Sequence, residues 1–349
     1  MHADADVVLT GGEVHTLGEP DRTYDAVALR DGRIARLDSD YEIEFSVGVE
    51  TDVIDLDGRV VLPGFVDAAA ALGDGEATRR SRRAAARRAS ERGVTTVYDR
   101  VTGAAAGAYR ELAAGGEGDL PLRVALDYAY GALDAAASLG ARTGHGSERV
   151  WTGALAVPAV GDGDGDVTPA VRRDVLRRAD EAGLRVAARV SDAESVANLL
   201  DNYERASADP GAARHRVVGV ERVTPAVATR LAETGVVAVV PPESNAVDTL
   251  LDAGAHVAFG ARGDGDGAYD PLAAVEAAVE RGVGTTAALR AATAGGAYAG
   301  GDEGRYGTLA PGHAADLVVL DGSPWEKERV TDLDVTATVV GGEVGDDAR

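Results

Sequence analysis

Eight short apolar runs, most of them followed by a stretch with helical periodicity, constrain this chain more than any other feature. They stand at 60-VVLPGFVD-67, 94-VTTVYD-99, 122-LRVALDY-128, 150-VWTGALAVPAV-160, 184-LRVAARVS-191, 216-RVVGVERV-223, 236-VVAVVPP-242 and 256-HVAFGA-261. Between them, apolar residues recur every three or four positions, most clearly over 76–93, 168–183, 193–206 and 224–235. Thr-Pro opens two of these stretches and a glycine closes three, which are ordinary start and stop signals for helices. This alternation predicts an α/β protein. Eight units over about 245 residues match the size of a (β/α)8 barrel, although a doubly wound open sheet fits the same period.

The two ends follow a different grammar. Residues 5–56 read as short alternating strands, with a hairpin predicted over 6–17 at Gly11-Gly12 and another over 25–39 at Asp31-Gly32. The segments 315–322 and 335–344 repeat that pattern. Chain ends tend to lie close together, so one small sheet domain built from both is expected. The expected division is residues 1–59 plus 307–349 for this domain and 60–306 for the barrel.

Composition removes several classes of function. There is no cysteine, hence no disulfide, thiolate metal site or cysteine nucleophile. The net charge is −23, from 58 acidic and 35 basic residues, and a field of that sign disfavours nucleic acid and anionic membranes as partners. No apolar run reaches membrane-spanning length and the first residues lack a signal pattern, so a cytoplasmic location is expected. Excess carboxylate with a single lysine, Lys327, is the balance of a halophilic protein. In molar salt the Debye length is about 3 Å, and self-repulsion is screened.

Several motifs together resemble the amidohydrolase superfamily, most closely its long-chain members with a composite β-sandwich and a TIM barrel. They are 29-LRDGRI-34, 57-DGRVVLPGFVDA-68, 285-TTAALRAATAGGAYAG-300, 307-GTLAPGHAADLVVLDG-322 and 338-TVVGGEV-344. The resemblance implies a barrel enclosed by a split sandwich and hydrolysis of non-peptide carbon–nitrogen bonds. It also implies zinc or another divalent metal that activates water at the C-terminal mouth of the barrel. The family's ligands come from a His-x-His after the first strand, a carbamylated lysine or a glutamate on the fourth, single histidines on the fifth and sixth, and an aspartate on the eighth.

Each of those positions is replaced. The His-x-His falls on Ala69 and Ala71, the fourth-strand position on Ala156, and the fifth-strand histidine on Ala188. Val218 and Gly219 stand for the sixth-strand Glu-His, and Arg262 for the eighth-strand aspartate. Independently of alignment, the only lysine sits in the C-terminal β segment. His145, His215 and His256 precede their strands, at the opposite end from the mouth. A strand of six residues spans roughly 20 Å, whereas metal bonds are about 2 Å long. His2, His15 and His313 belong to the terminal segments.

Carboxylates remain. Asp67, Asp99, Asp192, Glu221, Glu243 and Asp264 fall near strand exits, where they would either work as acids and bases or be scaffold and surface residues. The loops 161-GDGDGD-166 and 263-GDGDG-267 resemble the start of a calcium loop, but Val167 and Arg173 occupy the positions that need Gly and Glu. Seven arginines over 79–92 form either an anion-binding stripe or a solvated, acid-paired face.

The leading expectation is therefore an inactive homologue that needs no metal cofactor and keeps its cavity for a small molecule or a partner, either a second copy or an active relative. One alternative is a hydrolase driven by Asp67, Asp192 and Asp264, with or without a hard metal. The other is a purely structural subunit.

Overall fold

The computed structural model describes residues 4–72, 78–115, 120–160, 167–261 and 269–344. Eight parallel strands form its centre: β1 Phe65–Ala70, β2 Val94–Val101, β3 Arg123–Ala129, β4 Val150–Val157, β5 Arg185–Arg189, β6 Arg216–Val218, β7 Val237–Val240 and β8 Val257–Phe259. They pair in sequence order from β1 to β8. The first and last strands then meet edge to edge. A Cβ on Gly260 would lie 2.7 Å from the amide nitrogen of Ala69, and Ala261 N–H donates to Asp67 Oδ1 at 2.9 Å. The sheet therefore curls into a (β/α)8 barrel rather than the doubly wound alternative.

Helices form in all four stretches where the sequence predicts them, and others form elsewhere between the strands. Among them are α1 Arg79–Ser90, α2 Gly103–Ala114, α3 Leu133–Ser138, α4 Pro169–Glu181, α5 Ala193–Ala206 and α6 Pro225–Thr234. Thr78, Thr102, Thr168 and Thr224 cap α1, α2, α4 and α6 through their side-chain oxygens, and Pro169 and Pro225 occupy first turns. Their apolar faces cover the barrel in one continuous layer, with Leu176, Leu199, Leu200 and Leu231 against Val124, Leu155, Val186 and Val217.

Alternation along the strands sends the other face inward. The inner cluster holds Val66, Ala68, Tyr98, Ala125, Trp151, Ala154, Ala187, Val218, Val239 and Ala258. A short helix, Ala294–Gly300, packs against it at the start of β8. Its glycines permit the approach: a Cβ on Gly296 would meet the Val66 side chain, and one on Gly300 would collide with the Tyr98 hydroxyl. The Gly-rich run at 294–304 thus serves packing.

Two further sheets come from both chain ends. The smaller contains Val7–Thr10, Ala26–Arg30, Arg33–Asp38 and Asp52–Asp55; the larger contains Glu13–His15, Thr23–Tyr24, Val60–Pro63, Leu317–Leu320, Val335–Val340 and Glu343–Val344. They bury Leu9, Leu29, Ile34, Val61, Leu317 and Val339 between them. The turn at Asp31-Gly32 has φ of 51° and 70° and closes the predicted second hairpin. The hairpin expected over 6–17 does not form. Val7–Thr10 pairs with Ala26–Arg30 and with Asp52–Asp55, while Glu13–His15 crosses into the other sheet. Gly12 sits at the crossing, where a Cβ would stand 2.6 Å from the Arg59 carbonyl oxygen.

The apolar run 60–67 likewise serves two sheets. Val60–Pro63 pairs antiparallel with Leu317–Leu320, and the barrel begins only at Phe65. Between them, Gly64 donates its N–H to the Asp316 carbonyl and leaves no room for a side chain against Thr95.

Among the described residues, no helix is long and apolar enough to cross a membrane.

Candidate functional site

At the C-terminal mouth lies a cavity of about 340 Å³. Its wall is built from the ends of six strands: Ala68, Ala69 and Ala70 of β1, Arg100 and Val101 of β2, Asp127 and Ala129 of β3, Ala156 and Val157 of β4, Ala187 and Arg189 of β5, and Val218 of β6. Arg82 from α1 and Tyr130 after β3 complete it.

Buried polar groups form the base. Arg216 enters from the start of β6 with 1% of its surface exposed. It donates to Asp127 Oδ2 at 2.5 Å and to the Ala68 carbonyl at 3.0 Å, and its guanidinium lies 4.7 Å from the Tyr98 ring centre. The other oxygen of Asp127 accepts the Ala154 N–H at 2.7 Å. Burial pushes the Asp127 carboxyl up, and Arg216 opposes the shift. Below, the hydroxyls of Tyr98 and Tyr306 are 2.9 Å apart, and Tyr306 donates to Asp302 at 3.1 Å. Sequence reasoning passed over Asp127 and Arg216. Each is a charged residue at an inward position of an otherwise apolar strand, and that was the available signal.

The replaced ligand positions do not all face the cavity. Ala69 and Ala156 do. Ala71 follows the end of β1 and is not part of the wall. Ala188, assigned to the fifth-strand histidine, packs in the outer layer against the helices, and the inward positions of β5 are Ala187 and Arg189. Val218 faces inward, whereas Gly219 has φ of 85°, a conformation in which a histidine would be strained. Arg262 and Asp264 lie outside the described residues, as do both Gly-Asp loops.

The strand-end carboxylates are dispersed. Asp67 is 2% exposed, and its Oδ1 accepts the N–H groups of Ala69 at 3.1 Å and Ala261 at 2.9 Å, clasping β1 to the end of β8. Burial raises it to about 7, against those two hydrogen bonds, with the charge of Asp99 adding to the rise. Asp99 points outward, where it accepts from the Tyr109 hydroxyl at 2.7 Å, Leu72 N–H at 2.8 Å and Arg82 at 3.3 Å. Asp192 is exposed and forms the N-cap of α5 in a capping box with Ser195, whose backbone N–H holds its carboxyl below the usual range. Glu221 and Glu243 are exposed.

The described histidines stand where the sequence placed them, away from the mouth, and His2 lies outside the described residues. His215 is fully buried, accepts the Val186 N–H at 3.2 Å through Nδ1 and stacks on Tyr203; burial pulls it to about 4. His256 stacks on Tyr298, and His15 on Trp325 in the sandwich. His145 is exposed and His313 bonds within the segment 308–313.

Among the described residues, no three His, Cys, Asp or Glu side chains converge as metal donors. The described donors around the mouth do not fit a zinc or similar ion. Asp127 is committed to a guanidinium and Asp67 to two backbone amides, and neither has a histidine beside it.

A parallel barrel with this mouth and a sandwich drawn from both chain ends defines a class, the barrel proteins of the metal-dependent hydrolase type. A sequence model of the amidohydrolase family matches residues 68–345, and the chain belongs to that family. Three solved structures illustrate the likeness of fold. An uncharacterised metal-dependent hydrolase from Pyrococcus furiosus aligns over 92% of this chain and 100% of its own, with a TM-score of 0.77 and 15% identity. An adenosine deaminase from Xanthomonas campestris with bound zinc aligns over 99% and 93%, at 0.75 and 18%. A mutant of the atrazine chlorohydrolase TrzN from Arthrobacter aurescens, complexed with zinc and atraton, aligns over 97% and 94%, at 0.76 and 17%. No curated protein matches the sequence.

Proposed function

We propose that this chain is a catalytically silent amidohydrolase homologue that uses the barrel mouth to bind a small molecule. The observation that carries the reading is the mouth wall itself. The inward strand-end positions present Ala69, Ala156, Ala187 and Val218 to the cavity, and methyl groups neither hold a metal nor move a proton. Family membership brings the fold, and chemistry has to be argued from the site. Hydrolysis by Asp67, Asp192 and Asp264 fits less well, since Asp67 works as a clasp and Asp192 as a helix cap. A purely structural subunit would have no use for an open cavity of about 340 Å³. The acidic composition supports a cytoplasmic setting with high internal salt.

Elemental analysis of the full chain, purified in high salt without chelator, tests the proposal. Zinc, manganese and iron far below one equivalent, with no turnover of cyclic amides or aminated heterocycles, is the expected result. A stoichiometric metal, or turnover above background, would overturn it.

A further inference from the structure

The smaller sandwich sheet carries an apolar surface that the barrel mouth does not explain. Of the eight large apolar side chains exposed among the described residues, Tyr41, Phe45, Val47, Val49 and Val53 fall within one short segment. Apolar residues scattered singly over a surface are ordinary, whereas five so close together form a patch. Nor does their exposure come from a loose chain. Ser39 caps the short helix Asp40–Ile43, and Asp40 accepts from the Thr10 hydroxyl at 2.5 Å and the Gly11 N–H at 2.8 Å. Ile43 is buried with Ala5, Val8, Ala26 and Ala28. Beyond it, the Ser46 carbonyl accepts the Ala5 N–H at 2.8 Å, and the Thr51 hydroxyl donates to the Ala5 carbonyl at 2.6 Å. Between these anchors Phe45 is 61% exposed and Val49 completely so, and the Tyr41 and Phe45 rings meet edge to face at 5.8 Å.

The same segment runs into an open sheet edge. Asp52–Asp55 pairs with Val7–Thr10 on one side and is the last strand of its sheet. Asp52 and Leu56 direct their N–H groups inward, to the carbonyls of Asp6 and Thr10, so by alternation Val53 and Asp55 turn theirs outward. Register sets Val53 beside Val8, on the face that also buries Ile43. An unpaired edge beside an apolar patch is a template for strand addition.

Charge and area name the occupant. No basic residue lies between Arg36 and Arg59, which disfavours nucleic acid and anionic membranes. Several of the segment's carboxylates are engaged within the sandwich, Asp38 and Glu42 by Arg36 and Asp40 by Thr10, so the patch suits an apolar surface better than a cation. A twofold axis perpendicular to the sheet supplies such a surface, because it lays the edge strand antiparallel to its own copy. With Val53 opposite its mate, Asp52 of one copy meets Ile54 of the other and Asp55 meets Thr51, so no carboxylate of the strand opposes another. The patch amounts to roughly 500 Å² per copy, against about 800 Å² per partner in a standard interface, and the added strand with its rim supplies the remainder. We propose that this chain forms a twofold dimer through the Asp52–Asp55 edge, with the two apolar patches meeting across the seam.

Sedimentation equilibrium of the full chain in molar sodium chloride tests this. A reversible rise from 35.6 kDa toward twice that mass is expected over about 1–100 μM protein. Lowering the salt to about 0.1 M should weaken association at least tenfold, since the Debye length grows from about 3 to about 10 Å and the exposed Glu44 and Glu50 of the two copies then repel. Val53→Pro removes an N–H turned away from Val7–Thr10 and should abolish the dimer while leaving the melting temperature unchanged. Val49→Ser, at a fully exposed site, should weaken the dimer by about tenfold or more with the fold intact, and it carries the test should proline disturb the edge. A chain that stays monomeric at about 100 μM in molar salt would leave the patch to a different protein and overturn the proposal. So would a dimer indifferent to both substitutions, or one that tightens as salt is lowered, the mark of opposite charges meeting elsewhere.

Discussion

Replacing Asp67 with asparagine separates the clasp from its charge. Asparagine keeps a side-chain carbonyl to accept the N–H groups of Ala69 and Ala261, and it removes the ionisation. Burial raises the native carboxyl from its ordinary 3.8 to about 7, so between those values the folded state holds a proton that the unfolded state has lost. Its contribution to stability is therefore fully present below pH 3.8 and is lost as pH rises through 7. A shift of about 3 pH units corresponds to roughly 4 kcal/mol, undiminished by solvent because the group is buried. Urea unfolding of wild type and Asp67→Asn across this pH range, at one fixed high salt concentration, measures it. The variant should gain stability relative to wild type as pH rises, by up to about 4 kcal/mol between acid and neutral pH. His215, pulled to about 4, contributes with the opposite sign in both proteins and cancels in the difference. A difference that stays flat, or that falls with pH, would refute the account of Asp67 as an uncompensated buried carboxyl.

Two further substitutions probe the barrel interior. Arg216→Met leaves Asp127 buried without its partner and should cost about 3–5 kcal/mol in unfolding free energy, with Arg216→Met plus Asp127→Leu recovering much of it. A loss below 1 kcal/mol in the single variant, on the order of an exposed ion pair, would mean the pair is not buried as described. Gly300→Ala drives a methyl group into the Tyr98 hydroxyl and should cost about 1–3 kcal/mol. An unchanged melting temperature would show that the helix Ala294–Gly300 does not pack tightly beneath the barrel.

The barrel was legible because its signals are local. Periodicity, Thr-Pro starts and terminal glycines act within a turn or two, and the helices begin and end close to where those signals lie. The pairing of the terminal strands was less legible. Gly11-Gly12 carries the signature of a hairpin, but the sandwich needs a crossing there, and that demand comes from Leu56 and Arg59, far along the chain. The run 60–67 similarly hides a change of sheet at Gly64. At the mouth, the losses at Ala69 and Ala156 could be read from flanking motifs. The direction of a side chain could not, because a one-residue difference in strand register exchanges cavity for core, as it does for Ala187 and Ala188. Asp127 and Arg216 act across the barrel: each stands out as a charge in its own strand, but neither strand alone identifies its partner.

That geometry also bears on how far this mouth stands from catalysis. Among the described aligned positions, placing histidine or lysine back would aim new donors into the cavity at Ala69 and Ala156. At Ala188 the donor would enter the packed layer between barrel and helices, and at Gly219 it would have to adopt φ near 85°. The proposed loss of metal chemistry would thus rest on backbone direction as well as side-chain identity. What the cavity offers instead is guanidinium, which stays protonated across the accessible pH range and donates hydrogen bonds without accepting any. Such groups can hold and orient an anion, but they cannot generate a hydroxide or take a proton from water. On the proposed reading such a site serves recognition, since the one carboxylate among its described lining side chains, Asp127, is already held by Arg216.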